Sequence, residues 1–516
     1  MAPLVFRTFP LAGKTANVFV VTFKYTQIDC ASKGGSKKTQ IMKFLLIRPG
    51  DKSEDSKHVM LPPLGLLYLG AVLENDGHKV EILDYSVKNI SKEQLNNSLL
   101  SSDTIGVHIQ TTDFKTPNNI LKMIKDIDSN IPLIIGGPHC TFVKKQSLHD
   151  IPLADISVSG EGEFVILDLV KYLQGNKKPS DINGVFYRDN GSIYSGKPLK
   201  IIRELDSIPF PARHLVDNYV YGNSPHGFQF SGKVTSLISS RGCPCHCRFC
   251  TRYANMIDGW GFRQRSAENV VKEFAEIDDI YGSVNVVDDN FLADKKRAHK
   301  IFDGLIKNDK KFEIVIHGAR VDSADKDLYK KMRKAGVKYL YFGIESGNQD
   351  VLDYYQKNIT LSQIRNAVKL SRKMNFVTMG SFIFGAPIET DKHIENSIDF
   401  ACSLPLDFAN FVPLKYIKGS QIWDEAVKNN KISEDSDTFF ALSDKNDGLG
   451  NFTKNELMEY TIKAFYRFYN RPSYFVHQMV RSISRNDFKF LLNGLRFLFF
   501  AKKEIDFVQK NYLSKK

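Results

Sequence analysis

The chain has 516 residues, enough for two or three domains with cores of their own, and its 42% apolar and 25% charged content is that of an ordinary globular protein. No run of about 18 apolar residues occurs, which argues against a spanning helix. The net charge of +13 suits an anionic partner but is equally the mark of a solvated, lysine-rich surface.

Residues 1–41 stand apart. Asp29 is their one acidic residue, and no helical or strand period persists through them. An acid-poor leader can be a targeting peptide, but this one lacks arginine richness and stops where Met42 opens the strand-like MKFLLIRP. The reading is a leader outside the fold, disordered or an over-extended start, with targeting as the alternative.

From residue 42 to 180, strand and helix alternate. Strands are predicted at Lys43–Ile47, Val80–Leu83, Thr104–His108, Leu133–Ile135 and Ile156–Ser159, with helices at Leu64–Asn75 and Asn118–Asp128. This pattern predicts a doubly wound parallel sheet, whose ligands sit at the carboxyl ends of the strands. The turns there are Gly136-Gly137-Pro138-His139 and Gly160-Glu161-Gly162-Glu163. Glycines let a large ligand approach the backbone, or merely make tight turns. No G-x-G-x-x-G follows the first strand, which disfavours a dinucleotide.

Residues 181–232 read as a connector with a small hairpin around Asn190-Gly191. A second strand–helix series fills residues 233–420. Its strands are predicted from Val234 and at Ser283–Val287, Phe312–Ile316, Tyr339–Ile344, Val377–Phe384 and Phe408–Leu414. Helices are predicted at Ala267–Tyr281, Lys295–Lys307, Lys326–Ala335 and Leu361–Met374. Six such units suit a partial barrel, which carries its chemistry at the strand ends.

The first of these strands runs into RGCPCHCRFC, residues 241–250, which holds four of the seven cysteines. Such crowding points to a metal or cluster site rather than to disulfides. Cys243, Cys247 and Cys250 have C-x3-C-x2-C spacing, with Cys245 inserted. Three thiolates can hold three irons of a [4Fe–4S] cluster and leave the fourth open. A zinc site using all four is the alternative, although no second C-x-x-C exists to close a tetrahedron. Phe249 could cover a cluster or stack on a bound ring. Cys30, Cys140 and Cys402 are scattered singles that read as buried small hydrophobes.

Polar residues follow the later strands: Asp288-Asp289-Asn290-Phe291, Arg320, Glu345-Ser346, and Gly385-Ala386-Pro387-Ile388-Glu389-Thr390. Residues 421–516 are aromatic and basic, with an amphipathic helix over Glu456–Tyr469. A second helix, Asp487–Phe500, ends in LLNGLRFLFF. It is too short to span a bilayer but could lie in an interface, or pack on the barrel.

The cysteine loop resembles the signature of the radical S-adenosylmethionine (SAM) superfamily, C-x3-C-x-aromatic-C. The first domain, its IGGPH and SGEGE turns and the connector segment LDSIPFPARHL are similar to the B12-dependent members of that superfamily. The resemblance implies three cofactors: a [4Fe–4S] cluster on Cys243, Cys247 and Cys250, SAM on its open iron, and cobalamin. It implies that SAM is cleaved to a 5′-deoxyadenosyl radical that removes a hydrogen from substrate.

By the same resemblance, one of Asp288 and Asp289 contacts the methionyl amine, Glu345 a ribose or amine, and Gly385 and Pro387 flank the adenine. Arg320 and Ser346 complete the SAM contacts, and Phe249 stands beside them. Cobalamin falls to Gly136, Gly137, Pro138, His139, Gly160, Glu161 and Gly162. The D-x-H-x-x-G motif of better-known cobalamin proteins is missing from residues 42–180, so cobalt is expected without a protein histidine, and His139 is a weak axial candidate. Cobalamin lost from a degenerate domain is the alternative.

The function so implied is C-methylation, or oxidative carbon–carbon bond or ring formation, on a small-molecule or lipid substrate. It implies a reducing donor such as flavodoxin or ferredoxin. Work in the cytoplasm is expected, with the C-terminal region in contact with the inner face of the membrane as a further expectation; no nucleic acid is expected. Methylthio transfer to RNA and a non-catalytic cobalamin or redox sensor remain as alternatives. The former group carries a further cysteine set in its N-terminal domain, where this chain has only Cys140.

Overall fold

The computed structural model describes residues 40–50, 61–111, 115–222, 230–255, 257–277, 279–308, 312–433 and 440–485. The leader expected over residues 1–41, except Gln40 and Ile41, and the helix expected over Asp487–Phe500 lie outside the described residues.

The first sheet is built from β1 (Lys43–Arg48), β2 (Lys79–Asp84), β3 (Thr104–His108), β4 (Leu133–Gly136), β5 (Ile156–Val158), β6 (Val185–Asp189) and β7 (Ser192–Ser195). Their order is β2-β1-β3-β4-β5-β6-β7. The first five are parallel and the last two antiparallel. β1 lies inside the sheet, between β2 and β3, and is nearly continuous in apolar residues because both its faces are covered. Leu45 and Ile47 enter one core and Phe44 another. The crossovers are α1 (Leu64–Asn75), α2 (Lys92–Leu100), α3 (Lys115–Ile127), α4 (Pro138–Val143) with α5 (Ser147–Asp150), and α6 (Val165–Leu173). The hairpin expected to belong to the connector is hydrogen-bonded to β5 and extends this sheet.

The rest of the connector bridges the two sheets. Ala212 N donates to Leu67 O of α1 (3.1 Å), while the Arg213 guanidinium reaches Thr235 Oγ1 (3.0 Å) and Ser236 O (2.9 Å) in the second sheet. Tyr221 donates to Asp84 Oδ2 at the end of β2 (2.9 Å).

The second sheet comprises β8 (Lys233–Leu237), then, beyond the short pair β9 (Ser240–Arg241) and β10 (Arg263–Gln264), β11 (Tyr281–Val286), β12 (Glu313–Ala319), β13 (Val337–Glu345), β14 (Val377–Phe384) and β15 (Phe408–Pro413). All six long strands are parallel, in the order β15-β14-β13-β12-β11-β8. This is the expected open (β/α)6 half-barrel. Its outer helices are α7 (Ala267–Glu276), α8 (Lys295–Lys307), α9 (Lys326–Lys334), the short α10 (Gln349–Tyr354), α11 (Leu361–Lys373) and α12 (Asp391–Ser403). The first ends five residues earlier than predicted, because Tyr281 already pairs in β11.

The C-terminal region contributes α13 (Gln421–Lys428), the paired β16 (Lys415–Ile417) and β17 (Phe440–Leu442), α14 (Lys454–Tyr469) and α15 (Pro472–Arg485). α14 opens with a capping box between Thr453 and Glu456. The Tyr469 hydroxyl of α14 accepts from Ala409 N (3.0 Å) and donates to Ala409 O (2.8 Å), closing the edge strand β15. Among the described residues, no helix is long and apolar enough to cross a membrane.

Candidate active site

The cysteine loop leaves the carboxyl end of β8 and is fastened at both sides. At its root, Arg241 pairs antiparallel with Arg263, and Ser240 with Gln264. At its far side, Arg248 N donates to Tyr355 O (2.9 Å) and Ile422 N to Arg248 O (3.1 Å). The Arg248 guanidinium takes Glu425 Oε2 at 2.6 Å and lies 4.3 Å over the Tyr354 ring. Phe249 packs edge-to-face on Tyr355 at 4.9 Å. Its observed place is thus in the wall beside the loop, between Tyr355 and Lys357.

The thiols face polar groups from neighbouring strand ends. Asn290 Nδ2 stands 4.0 Å from Cys243 Sγ and 3.9 Å from Cys245 Sγ, and Arg320 Nη1 is 3.9 Å from Cys247 Sγ. An amide donor and a guanidinium beside sulfur favour thiolate. A hydrogen bond from Cys245 lowers the Cys243 thiol to about 6, and the same bond raises Cys245. Cys245 is hydrogen-bonded to Cys243, so the donor set is three spaced thiols rather than four. A cubane takes each thiolate on a separate iron, whereas a four-thiol zinc site closes on a single ion. The donor set therefore fits a [4Fe–4S] cluster.

The acids after β11 divide. Asp288 is buried; its carboxylate accepts from Ser239 N (2.7 Å), Ser239 Oγ (2.6 Å) and Ser240 Oγ (2.5 Å). It braces the root of the cysteine loop and is spent there, a correction to its reading as a cofactor contact. Asp289 is exposed at the mouth and remains open to one. Arg320 is held by Asp322 (Nη2–Oδ2 2.9 Å) and by Lys357 O (2.8 Å), with Nη1 left toward Cys247.

Glu345 closes β13 in the left-handed region, φ 69°. Its Oε1 meets Lys357 Nζ at 2.5 Å, both side chains almost wholly buried. Burial pulls the Lys357 ammonium down, but Glu345 and then Cys247 more than offset it and its pKa is raised. Lys357 also lies 5.7 Å from the Phe249 ring, so this one cation spans Glu345 and the cysteine loop. No motif announces it; the visible signal is its place between Gln356 and Asn358, both at positive φ. Ser346 is buried, hydrogen-bonded to Ser397 Oγ (3.2 Å) and Asn348 N (3.2 Å), which corrects its reading as a cofactor contact.

After β14, Gly385 N and Ala386 N both donate to Glu389 Oε2, at 2.6 and 2.8 Å. Pro387 O accepts from Asn451 Nδ2 (2.8 Å), so the C-terminal region holds this turn. Glu389 Oε1 is buried without a partner, and burial raises its carboxyl to about 7.

The less buried, alternate residues of the strands line the concave side: His317, Tyr341, Met379, Ser381, Ile383, Asn410 and Val412. His317 Nε2 is 2.8 Å from Asn285 Oδ1, and its ring stacks on Tyr341 at 4.8 Å. Desolvation lowers it to about 4, so it is neutral near pH 7, and with Nε2 donating to Asn285 its Nδ1 is an acceptor.

In the first sheet, the carboxyl ends of the strands carry Tyr85, His108, Gly136 and Ser159. The hydroxyls of Tyr85 and Ser159 are buried without a partner, as expected of groups that a large polar ligand would satisfy. His108 is lowered to about 4, first by burial and then by Arg48. This face fits a corrinoid, and Gly136 has no atom closer than 3.8 Å to an added Cβ.

The neighbouring residues have contacts of their own within the fold. Gly137 (φ 111°) has His108 Nδ1 2.9 Å from the place of a Cβ, and Gly160 (φ 85°) has the Leu199 side chain there, so the fold itself requires glycine at both. Gly162 meets Leu69 in the same way, and Pro138 opens α4. His139 is buried, its Nε2 2.9 Å from Asp150 Oδ2, and is turned away from an axial role. Glu161 receives Arg241 Nη1 (2.7 Å), Arg263 Nη1 (2.8 Å to Oε2) and Ile202 N (2.6 Å), and Glu163 binds Arg241 Nη2. These acids clasp the first domain to the cysteine loop instead of holding the cofactor.

Residues 237–401 match the Radical SAM superfamily and residues 58–170 the B12 binding domain. The chain is 30% identical over 441 residues to an uncharacterised methyltransferase of Pyrococcus horikoshii, covering 84% of this chain and 94% of the relative. It is 27% identical over 434 residues to the cytidylyl-2-hydroxyethylphosphonate methyltransferase of Streptomyces wedmorensis, covering 73% and 80%. Among solved structures, the cobalamin-dependent SAM radical enzyme OxsB, with aqua-cobalamin and SAM bound, superimposes with a TM-score of 0.68 at 17% identity, covering 93% of this chain and 82% of that one. The chain belongs to the radical SAM superfamily, among the enzymes that join a B12-binding domain to the radical SAM domain and use a [4Fe–4S] cluster, SAM and cobalamin.

Proposed function

We propose that the enzyme removes a hydrogen atom from a carbon of a hydrophobic small-molecule or lipid substrate and forms a carbon–carbon bond there, methylation first and ring formation second. The observation that carries the reading is the clasp Glu161–Arg241, which ties the root of a three-thiol loop to the sheet of the B12-binding domain. When bound, the cofactors supply a 5′-deoxyadenosyl radical for hydrogen abstraction and a methyl group for transfer. Both relatives described above are methyltransferases by name, which favours methylation.

The chain's own residues divide the work. Cys243, Cys247 and Cys250 would hold three irons, and Asn290 and Arg320 would stabilise the thiolate charge beside them. Lys357, fixed by Glu345, would offer a buried cation to the carboxylate of SAM, and Asp289, exposed at the mouth, would take its amine. The turn Gly385–Glu389 shapes the adenine side. Met379, Ile383 and Val412 give the lumen an apolar wall, and His317 with Asn285 gives it a polar anchor, a composition suited to a mostly hydrophobic substrate.

The reading includes a flavodoxin- or ferredoxin-type donor, work in the cytoplasm, and contact between the C-terminal region and the inner face of the membrane. The test is anaerobic: reconstituted protein, reduced and given SAM, should release 5′-deoxyadenosine. A deletion strain should accumulate a lipid or metabolite lacking one carbon that the complemented strain restores. Absence of 5′-deoxyadenosine with extracts of the deletion strain as substrate source would rule the reading out.

A further inference from the structure

α15 is an amphipathic helix turned inside out. Its polar face meets the protein: Arg481 Nε and Arg485 Nη2 reach Asp407 at 3.2 and 3.0 Å, Tyr474 and Gln478 both donate to Asp407 O at 2.9 Å, and His477 Nδ1 lies 2.8 Å from Arg372. Asp407 stands at the amino end of β15 and is wholly buried, so the helix is pinned to the floor of the half-barrel by its charges. The opposite face consists of Phe475, Val476, Met479, Val480 and Ile483, each between 40% and 65% exposed. These follow helical spacing and form a stripe about 12 Å long. A helix that buries arginines and exposes five large apolar residues is the reverse of what water selects.

Basic residues stand beside α15, of which Lys331, Arg333 and Arg372 are engaged by Asp303, Val337 O and His477. The last turns of α9 and α11 carry Lys331, Arg333 and Lys334, and Arg372 and Lys373. Both turns end near α15: Arg333 is close enough to feel the charges of Arg481 and Arg485, and Asn375 Nδ2 donates to Ser484 O. Lys334 and Lys373 are exposed. The residues after α15, 486–516, hold seven Lys or Arg against three Asp or Glu, interleaved with LLNGLRFLFF.

We propose that the outward face of α15 is a membrane-docking surface for an anionic phospholipid bilayer. The apolar stripe enters the headgroup boundary, and the basic rim meets the lipid charge. The surface sits on the barrel floor, at the amino ends of the strands and opposite the cysteine mouth. The inference rests on the membrane contact proposed above and is independent of the reaction.

The test uses the full chain with sucrose-loaded vesicles of phosphatidylglycerol and phosphatidylcholine, and of phosphatidylcholine alone. Wild type should sediment with the anionic vesicles and bind the neutral ones about tenfold less or weaker. Val476→Glu with Val480→Glu should lose about tenfold or more of anionic-vesicle binding while SAM cleavage is unchanged. Val476→Leu with Val480→Leu should bind as wild type. Undiminished binding by the double Glu variant would overturn the α15 surface yet leave the membrane contact standing. No binding by wild type would overturn both and leave the reaction untouched. Hydrogen exchange showing the stripe shielded by residues 486–516 without vesicles, or sedimentation showing a dimer that the Glu variant dissociates, would also overturn it.

Discussion

Arg241 Nη1 lies 2.7 Å from Glu161 Oε1, joining the residue at the root of the cysteine loop to the turn after the last parallel strand of the first sheet. Arg263 shares the same carboxylate, and all three side chains are at most 14% exposed. Breaking a buried pair leaves an uncompensated charge, at a cost of about 3–5 kcal/mol. Glu161→Ala should therefore lower thermal stability by that order and separate the two domains' unfolding. Burial raises the Glu161 carboxyl, but Arg263 and Arg241 outweigh it and hold it below the usual value. The stabilisation is thus present above the ordinary carboxylate range and lost as pH falls through the depressed value. Acid should open the domain junction in wild type, and the Ala variant should lack that acid limb; calorimetry between pH 3 and 7 checks both.

The cysteines should separate cleanly. Alanine at Cys243, Cys247 or Cys250 should abolish the cluster's visible absorbance and SAM cleavage together. Cys245→Ala should retain both, because Cys245 serves Cys243 as a hydrogen-bond donor and the three spaced thiols suffice for the cluster. A zinc site would lose metal with all four, so metal analysis of the four variants decides it.

Lys357→Met removes the cation that spans Glu345 and Cys247. Glu345 would be left buried without a partner, costing about 3–5 kcal/mol. SAM affinity, measured by calorimetry on the reconstituted protein, should fall by about tenfold or more, because the proposed pairing of the ammonium with the SAM carboxylate is lost. The double variant Lys357→Met with Glu345→Gln should recover much of the stability and none of the affinity.

The two sheets were legible from sequence because parallel strands covered on both faces are continuous apolar runs, as KFLLIR in β1 shows. The cysteine loop was legible because its chemistry sits in adjacent residues. Side-chain direction was not. Asp288 and Asp289 are neighbours, yet one is buried under Ser239 and Ser240 and the other faces the mouth. Glu161 and Glu163 looked like a ligand turn, and their partners Arg241 and Arg263 lie 78 to 102 residues away. Lys357 belongs to no motif; only the left-handed turn around it brings it under Glu345.

Glu389 gives the opposite pH sign from Glu161. Its carboxyl is raised to about 7, chiefly by burial, although Ala386 N and Gly385 N favour the ionised form. A raised carboxyl contributes stability that is complete below the unfolded value and lost as pH rises through the folded one. Wild type should lose stability between about pH 4.5 and 7 from this group. Glu389→Gln keeps an acceptor for both amides and should flatten that slope, which urea titrations across the range would show.

Asp407 anchors α15 from the barrel floor, and its loss should be felt there before anywhere else. Burial raises its carboxyl, but Arg485, His477 and Arg481 together hold it far below the usual range. Its contribution is therefore present at neutral pH and disappears only in strong acid. Asp407→Asn keeps the shape and leaves Arg481 and Arg485 buried without a carboxylate, so α15 should detach at a cost of about 3–5 kcal/mol. Hydrogen exchange should rise in residues 472–485 while β11 to β14 keep their protection. Because the cysteine mouth lies at the other end of the strands, the cluster's absorbance should persist in the variant, and its loss would show that α15 supports the whole half-barrel rather than its floor alone.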